Sequence, residues 1–189
     1  VDAYGYHPFD EELSSVTAYP FSVQRNQNAT VGNTGITGYE ASDFLWCKSE
    51  GELPSSRLIT LRHNHIMAGV QVTLVKGFGF EDGEWETLEK QVMVENTKLD
   101  ATIDITEGRV SPAVGSSVRS IVSMASGSDF RAIVVPQTVP AKEILISVTV
   151  DGRSSIYRMA TEMTYHPGRL HKFTFEVAKL LPVGDYKLT

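Results

Sequence analysis

Residues 131–150 read RAIVVPQTVPAKEILISVTV and are followed at once by Asp151-Gly152. In the second half of this stretch Ile144, Ile146, Val148 and Val150 alternate with Leu145, Ser147 and Thr149. An extended chain with that pattern lines one face with branched apolar side chains and leaves the other half polar, which predicts a strand packed on one side. The Asp-Gly pair supplies the positive φ angles that a two-residue hairpin demands, so Ser155 to Met159 is expected to return beside it. Arg131 to Val135 is a second strand-like run, and the two runs bracket VVPQT. Nothing in the stretch supplies catalytic chemistry; it reads as sheet.

Outward from this point, period-two alternation recurs at Val1 to Tyr6, Phe21 to Gln24, Phe44 to Lys48, Arg57 to His63, Val70 to Val75, Leu99 to Ile105 and Val118 to Met124. It returns at His171 to Val177 and Asp185 to Leu188. The cleanest half-buried patterns are Leu99, Ala101, Ile103 and Ile105 on one face, and Phe173, Phe175 and Val177 on another. Turn chemistry separates the runs at Gly77 to Gly83, Glu107-Gly108, Ser126 to Asp129 and Pro167-Gly168. Glu84 to Val94 fits a short helix, although Gln91 to Glu95 within it alternates like a strand. Asn26 to Gly38 is polar and glycine-rich, and is expected to be a loop. Many short strands at this spacing predict an all-β sandwich.

Composition narrows the function classes. The chain has 189 residues and 41% hydrophobic content, enough to build a core without disulfides. With 17 basic against 23 acidic residues the net charge is −6, and no basic run collects on one segment, which argues against nucleic acid or an anionic membrane as partner. No apolar run approaches the roughly 18 residues of a membrane-spanning helix. Because Val1 already lies in an alternating pattern, the polypeptide is expected to extend upstream.

Candidate chemistry is sparse. His63 and His65 share a strand face at the spacing of a bidentate metal site, but no third ligand lies near in sequence, and a histidine pair of packing or surface character is expected. Asp82, Glu84 and Glu86 around Gly83 do not follow a calcium-loop spacing and read as a solvated turn. The single Cys47 follows Trp46 in a strand and reads as a buried thiol. Gly-x-Ser-x-Gly is absent, and Gly77-Phe78-Gly79-Phe80 lacks the third glycine of a phosphate loop. No catalytic, cofactor-binding or metal residue is assigned. Tyr4, Tyr6, Phe9, Tyr19 and Phe21 could form a sugar-stacking platform or, as the commoner use of such residues, part of a core. Asn28-Ala29-Thr30 matches a glycosylation sequon and chiefly signals an exposed loop.

Several segments, taken in order, resemble the fimbrillin-like family, the subunits of surface pili and related lipoproteins of Gram-negative anaerobes. Ala3 to Phe9 (AYGYHPF) is similar to the family's aromatic strand and turn, and Asp43 to Lys48 (DFLWCK) to its Asp-Phe/Leu-Leu-Trp-Ala-Lys element, with Cys47 in place of the small residue. His65 to Leu74 (HIMAGVQVTL) resembles its entry into a long strand, and Ala132 to Thr138 its AIVVPQT strand. Gly168 to Phe173 looks like its late Gly-x-x-aromatic-x-aromatic strand; His63 and His171 stand where the family tends to carry aromatics.

The resemblance implies transthyretin-like β-sandwich domains. Residues 1–57 would be the latter part of an N-terminal sandwich and 58–189 a second, nearly complete one. It further implies a non-enzymatic structural or accessory subunit of a cell-surface fimbria at the outer membrane, lipidated upstream and without a cofactor. Its partners would be other fimbrial subunits, joined by donor-strand exchange, and host or bacterial surface ligands. A surface glycan-binding lipoprotein is the alternative.

Overall fold

A computed structural model describes residues 2–51 and 58–179. In chain order the elements are β1 (Ala3–His7), β2 (Tyr19–Ser22), α1 (Gly38–Ala41), β3 (Leu45–Ser49), β4 (Asn64–His65), β5 (Ala68–Lys76), α2 (Glu84–Thr87), β6 (Lys90–Lys98) and β7 (Asp100–Asp104). They continue with β8 (Arg109–Pro112), β9 (Val118–Val122), β10 (Met124–Ser126), β11 (Asp129–Val134), β12 (Gln137–Val139), β13 (Ile144–Val150), β14 (Arg153–Arg158), β15 (Met163–Tyr165) and β16 (Leu170–Val177). The chain is all-β with two one-turn helices among the described residues.

Two four-stranded sheets, β14-β13-β6-β9 and β10-β11-β5-β16, make the body. Their inner faces share one core that includes Val92, Val94, Ile121, Ile146, Val70, Val72 and Ala132, each large aliphatic contributing on the order of 1.5–3 kcal/mol by leaving water. A three-stranded sheet β2-β7-β8 adds Tyr19, Phe21, Ala101 and Ile103 to the same core. β1-β3-β4 and the β12-β15 pair complete the fold.

The decisive stretch folds largely as its pattern demands. β13 and β14 form an antiparallel hairpin closed by Asp151 (φ 50°) and Gly152 (φ 72°), the paired positive angles that match the right-handed twist of the flanking strands. One expectation is corrected. β13 is packed on both faces, since Leu145 and Ser147 are buried along with Ile146, Val148 and Val150. It runs between two neighbours in the sheet, and Ser147 tolerates burial because its hydroxyl donates to Glu95 Oε1 at 2.5 Å.

VVPQT acquires a reason. The Gln137 side chain accepts from the Lys98 backbone N–H at 2.9 Å and donates to the carbonyls of Val135 at 3.0 Å and Lys98 at 3.3 Å. An amide side chain carries the same donor and acceptor as a peptide group, so Gln137 acts as one more strand residue at the end of β6.

Two further expectations change. Residues 58–63 form no strand, Arg57 lies outside the described residues, and only Asn64–His65 pairs with β3. Alternation supplies a pattern, but a strand also needs a ladder partner, and the pattern cannot say whether one is present. Glu84 to Val94 resolves into both of its readings, with α2 first and then β6, where Val92 and Val94 face the core. The proposed strand Asp185–Leu188 lies outside the described residues. β8, β12 and β15 are too short to have announced themselves by periodicity.

Candidate functional site

The two main sheets leave seams at their sides, and one of these holds a hollow. On one side lie β14 and β16, which among the described residues are end strands paired with β13 and with β5. Between them is a cleft of about 330 Å³ lined by Val148, Val150, Ile156, Tyr157, Phe175 and Val177 among others. Phe80 and Leu88 close one end, beside an ion pair between Lys179 and Glu84. β14 arises here because the hairpin turn folds it back against β13. All six of its residues are exposed, and Tyr157 reaches across, its ring centroid 5.1 Å from Phe175 and 6.3 Å from Phe173.

The hydrogen-bond register of β16 defines the side that faces away from β5. β5 and β16 run parallel, and the carbonyls of Arg169 and Val177 accept from the N–H groups of Gly69 and Gly77 at 2.8 and 2.9 Å. In a parallel strand, alternate residues direct both N–H and C=O to the same neighbour. The odd-numbered residues therefore bond to β5, and the peptide groups of Leu170, Lys172, Thr174 and Glu176 point away from it. Their side chains are exposed, whereas His171, Phe173, Phe175 and Val177 turn inward. Chemically this is an apolar floor beside a row of backbone donors and acceptors, suited to holding an extended peptide segment rather than to moving protons.

The residues singled out in the sequence do not converge. His65 Nδ1 lies 2.7 Å from Asp43 Oδ2, beside a small hollow that also includes Tyr39 and Arg169. Burial first, and Asp43 second, push the Tyr39 phenol above its ordinary range. His63 instead lies against Gly5, where an added Cβ would come within 2.8 Å of Nε2 and 2.7 Å of Cys47 Sγ. No group of three His, Cys, Asp or Glu side chains among the described residues could hold a metal ion. Glu84 pairs with Lys179 and caps the Glu81 N–H. Cys47 is buried.

The early aromatics pack inward. Tyr6, Tyr19 and Phe21 surround Phe44 with ring centroids 5.2 to 5.9 Å from it. Burial and the hydrogen bond to Asp10 push the Tyr19 phenol up to about 12. Only Tyr4 and Phe9 of the five keep large exposed surfaces. Trp46 donates from Nε1 to the Ile105 carbonyl at 2.6 Å, and its ring covers Gly108, where a Cβ would come within 2.5 Å of the ring; this packing accounts for the Trp in DFLWCK. His171 packs edge-on to Tyr165, as an aromatic residue would.

Sequence reasoning missed Gln27. It is wholly buried, donating from Nε2 to the Ile133 carbonyl at 2.6 Å and accepting from the Ile133 N–H at 2.7 Å. The Asn26 to Gly38 loop thus carries a core residue that its polar composition conceals.

A model of the fimbrillin-like family matches residues 1–188. No curated protein matches the chain. Among solved structures the chain is similar to a proposed cell adhesion protein from Bacteroides uniformis, with a TM-score of 0.71 at 18% identity, covering 94% of this chain and 67% of that one. A second proposed cell adhesion protein, from Bacteroides thetaiotaomicron, gives 0.62 at 15% identity over 100% and 71% of the two chains. A fimbrial protein from Bacteroides ovatus gives 0.51 at 15% identity, over 97% of this chain but only 37% of that one. At these identities the likeness is one of fold. The match along nearly the whole length shows that this chain belongs to the fimbrillin-like family, whose members are structural proteins of cell-surface appendages and not enzymes.

Proposed function

We propose that this chain is a structural or accessory subunit of a cell-surface fimbria that supports adhesion and assembles by donor-strand exchange. The observation that carries the reading is the cleft between β14 and β16, two end strands with an apolar floor between them. An unpaired edge offers a ready ladder to an extended segment, and the pockets beneath it select alternate apolar side chains, so affinity and register come together. The same reading sets the polypeptide at the outer membrane as a lipoprotein, with fimbrial subunits and surface ligands as partners.

Within it, residues 1–57 belong to an N-terminal sandwich and 58–189 to the next. The two are tied through β2 on β7 and Gln27 on Ile133. The test is sedimentation and denaturing electrophoresis of the polypeptide that carries this chain. Strand-exchanged oligomers are expected to form with concentration and then to survive dilution. A species that stays monomeric at every concentration, alone and with other fimbrial subunits, removes the proposal.

A further inference from the structure

We propose that the small hollow beside His65 binds one pyranose ring carrying a carboxylate, the terminal residue of an acidic glycan. The inference deepens the adhesive side of the function proposed above and is independent of strand exchange, so either can fail without the other.

The hollow, about 190 Å³, exists because position 69 has no side chain. Ala68 and Val70 are buried in the core, so Gly69 between them opens to the outer face of the β10-β11-β5-β16 sheet, opposite Ile133 on β11 and Leu170 on β16. A Cβ at Gly69 would come within 3.0 Å of Leu170 Cδ1. The rim is held by backbone. The Gly168 N–H donates to the Met67 carbonyl at 2.8 Å, and a Cβ on Gly168 would lie 2.8 Å from the His65 carbonyl oxygen. The Arg169 carbonyl accepts from the Gly69 N–H at 2.8 Å. Tyr39 sits in α1, whose start is fixed by the capping box of Thr37 and Glu40, and its N–H donates to the Gln27 carbonyl at 3.0 Å. Walls held in this way lose little freedom when a ligand enters.

The chemistry of the lining identifies the ligand. Four polar side chains, those of Tyr39, Asp43, His65 and Arg169, line the hollow over an apolar floor that includes Met67 and Ile133. His65 Nδ1 is engaged by Asp43, which leaves Nε2 and the remaining carboxylate lone pairs to accept from a ligand. Tyr39 stays a phenol and offers a hydroxyl donor. Arg169 is exposed and forms no ion pair among the described residues, so its forked donors are available to a carboxylate. A sugar ring lays its C–H face on the floor, shares hydroxyls with both kinds of partner and holds its carboxylate away from them, towards the guanidinium. An apolar ligand would strip water from these polar groups and replace none of it. A phosphate, being compact, would bring its charge against Asp43. The hollow falls short of the roughly 300–1,000 Å³ that holds a drug-sized ligand, so one ring enters and the rest of the glycan stays outside.

The test is an amide chemical-shift titration of the isotope-labelled chain with D-glucuronate, N-acetylneuraminate, D-glucose and acetate. At least one of the two acidic sugars is expected to shift Gly69 and Gly168 saturably and to bind at least tenfold more tightly than glucose or acetate; which one does so separates a uronic acid from a 2-keto acid sugar. Arg169→Gln is expected to erase the preference over glucose. Lys172→Gln, exposed on β16 but outside the hollow, is expected to preserve it. Gly69→Val fills the hollow and is expected to abolish binding; should circular dichroism show it misfolded, Arg169→Gln decides by itself. Glucose or acetate binding as tightly as the acidic sugars, equal losses in the two charge variants, or no saturable shift at Gly69 with any sugar overturns the proposal and leaves strand exchange untouched.

Discussion

The two seams of the sandwich are closed differently. Where β9 and β10 lie, residues Arg25 to Asn28 run along the gap as a strap. Asn26 bridges Val122 in parallel, the Val122 N–H donates to the Arg25 carbonyl, and the Gln27 N–H donates to the Val122 carbonyl. The Gln27 side chain then takes both backbone groups of Ile133 on the opposite sheet, and Asn28 Oδ1 accepts from the Ala125 N–H at 3.0 Å. Where β14 and β16 lie, the described contacts across the gap are made by side chains, the Tyr157 ring against Phe173 and Phe175 and Lys179 against Glu84 among them. The chain donates an extended segment to itself at the β9–β10 seam, whereas the described contacts at the β14–β16 seam are between side chains.

If the strap is what closes its seam, Gln27→Leu should be the most damaging change. It leaves the buried N–H and C=O of Ile133 unpaired, at a cost of about 1–3 kcal/mol for each such group, and urea unfolding should register roughly 3 kcal/mol with increased dye binding at the β9–β10 side. A stability change under about 0.5 kcal/mol would reduce the strap to an incidental contact. Gln137→Ala removes the comparable mimic at Lys98, which is half-buried; water can replace part of the bonding there, so a loss of about 1–2 kcal/mol is expected in the same titration.

At the β14–β16 seam Tyr157→Ser should cost little, below about 1 kcal/mol, because the ring is 37% exposed. It should nevertheless widen the cleft and raise binding of an apolar fluorophore there. Unchanged fluorescence would mean that Tyr157 does not limit access.

The smallest effect is expected with pH. Burial, and next the neighbouring His166, hold the His171 imidazole below its ordinary 6.5, while the His166 N–H donates to its Nε2 at 3.0 Å and so needs that nitrogen unprotonated. The unfolded chain then binds more protons than the folded one as pH drops through 6.5, so the contribution is intact above about 7 and declines from 6.5 towards the lower folded-state value. Thermal melts between pH 7.5 and 5.5 should show the decline, and His171→Phe should flatten that component. A variant with the same pH slope as the parent would locate the dependence elsewhere.

Much of the fold was legible because its signals are local. The Asp151-Gly152 turn, the β13 alternation and the inward Phe173, Phe175 and Val177 follow from backbone sterics and a period of two, which no distant contact needs to supply. The residues of the candidate site were less so. His63, His65 and the acidic residues near Gly83 drew attention by type, yet the fold sends them to separate partners, whereas Gln27 sat unnoticed in a polar loop. A side chain's type is local, but its partner is decided by which segment lies opposite, often a hundred residues away.

The sequence by itself therefore determined an all-β chain, the hairpin, the family motifs and the poverty of catalytic chemistry, since each is written in spacing and composition. Only the tertiary structure decided that β13 is covered on both faces, that 58–63 lacks a ladder, and that residues 25–28 strap one seam. Those outcomes depend on which strand ends at the margin of a sheet, and strand order is set by long-range pairing and shared burial, quantities that no window of neighbouring residues contains.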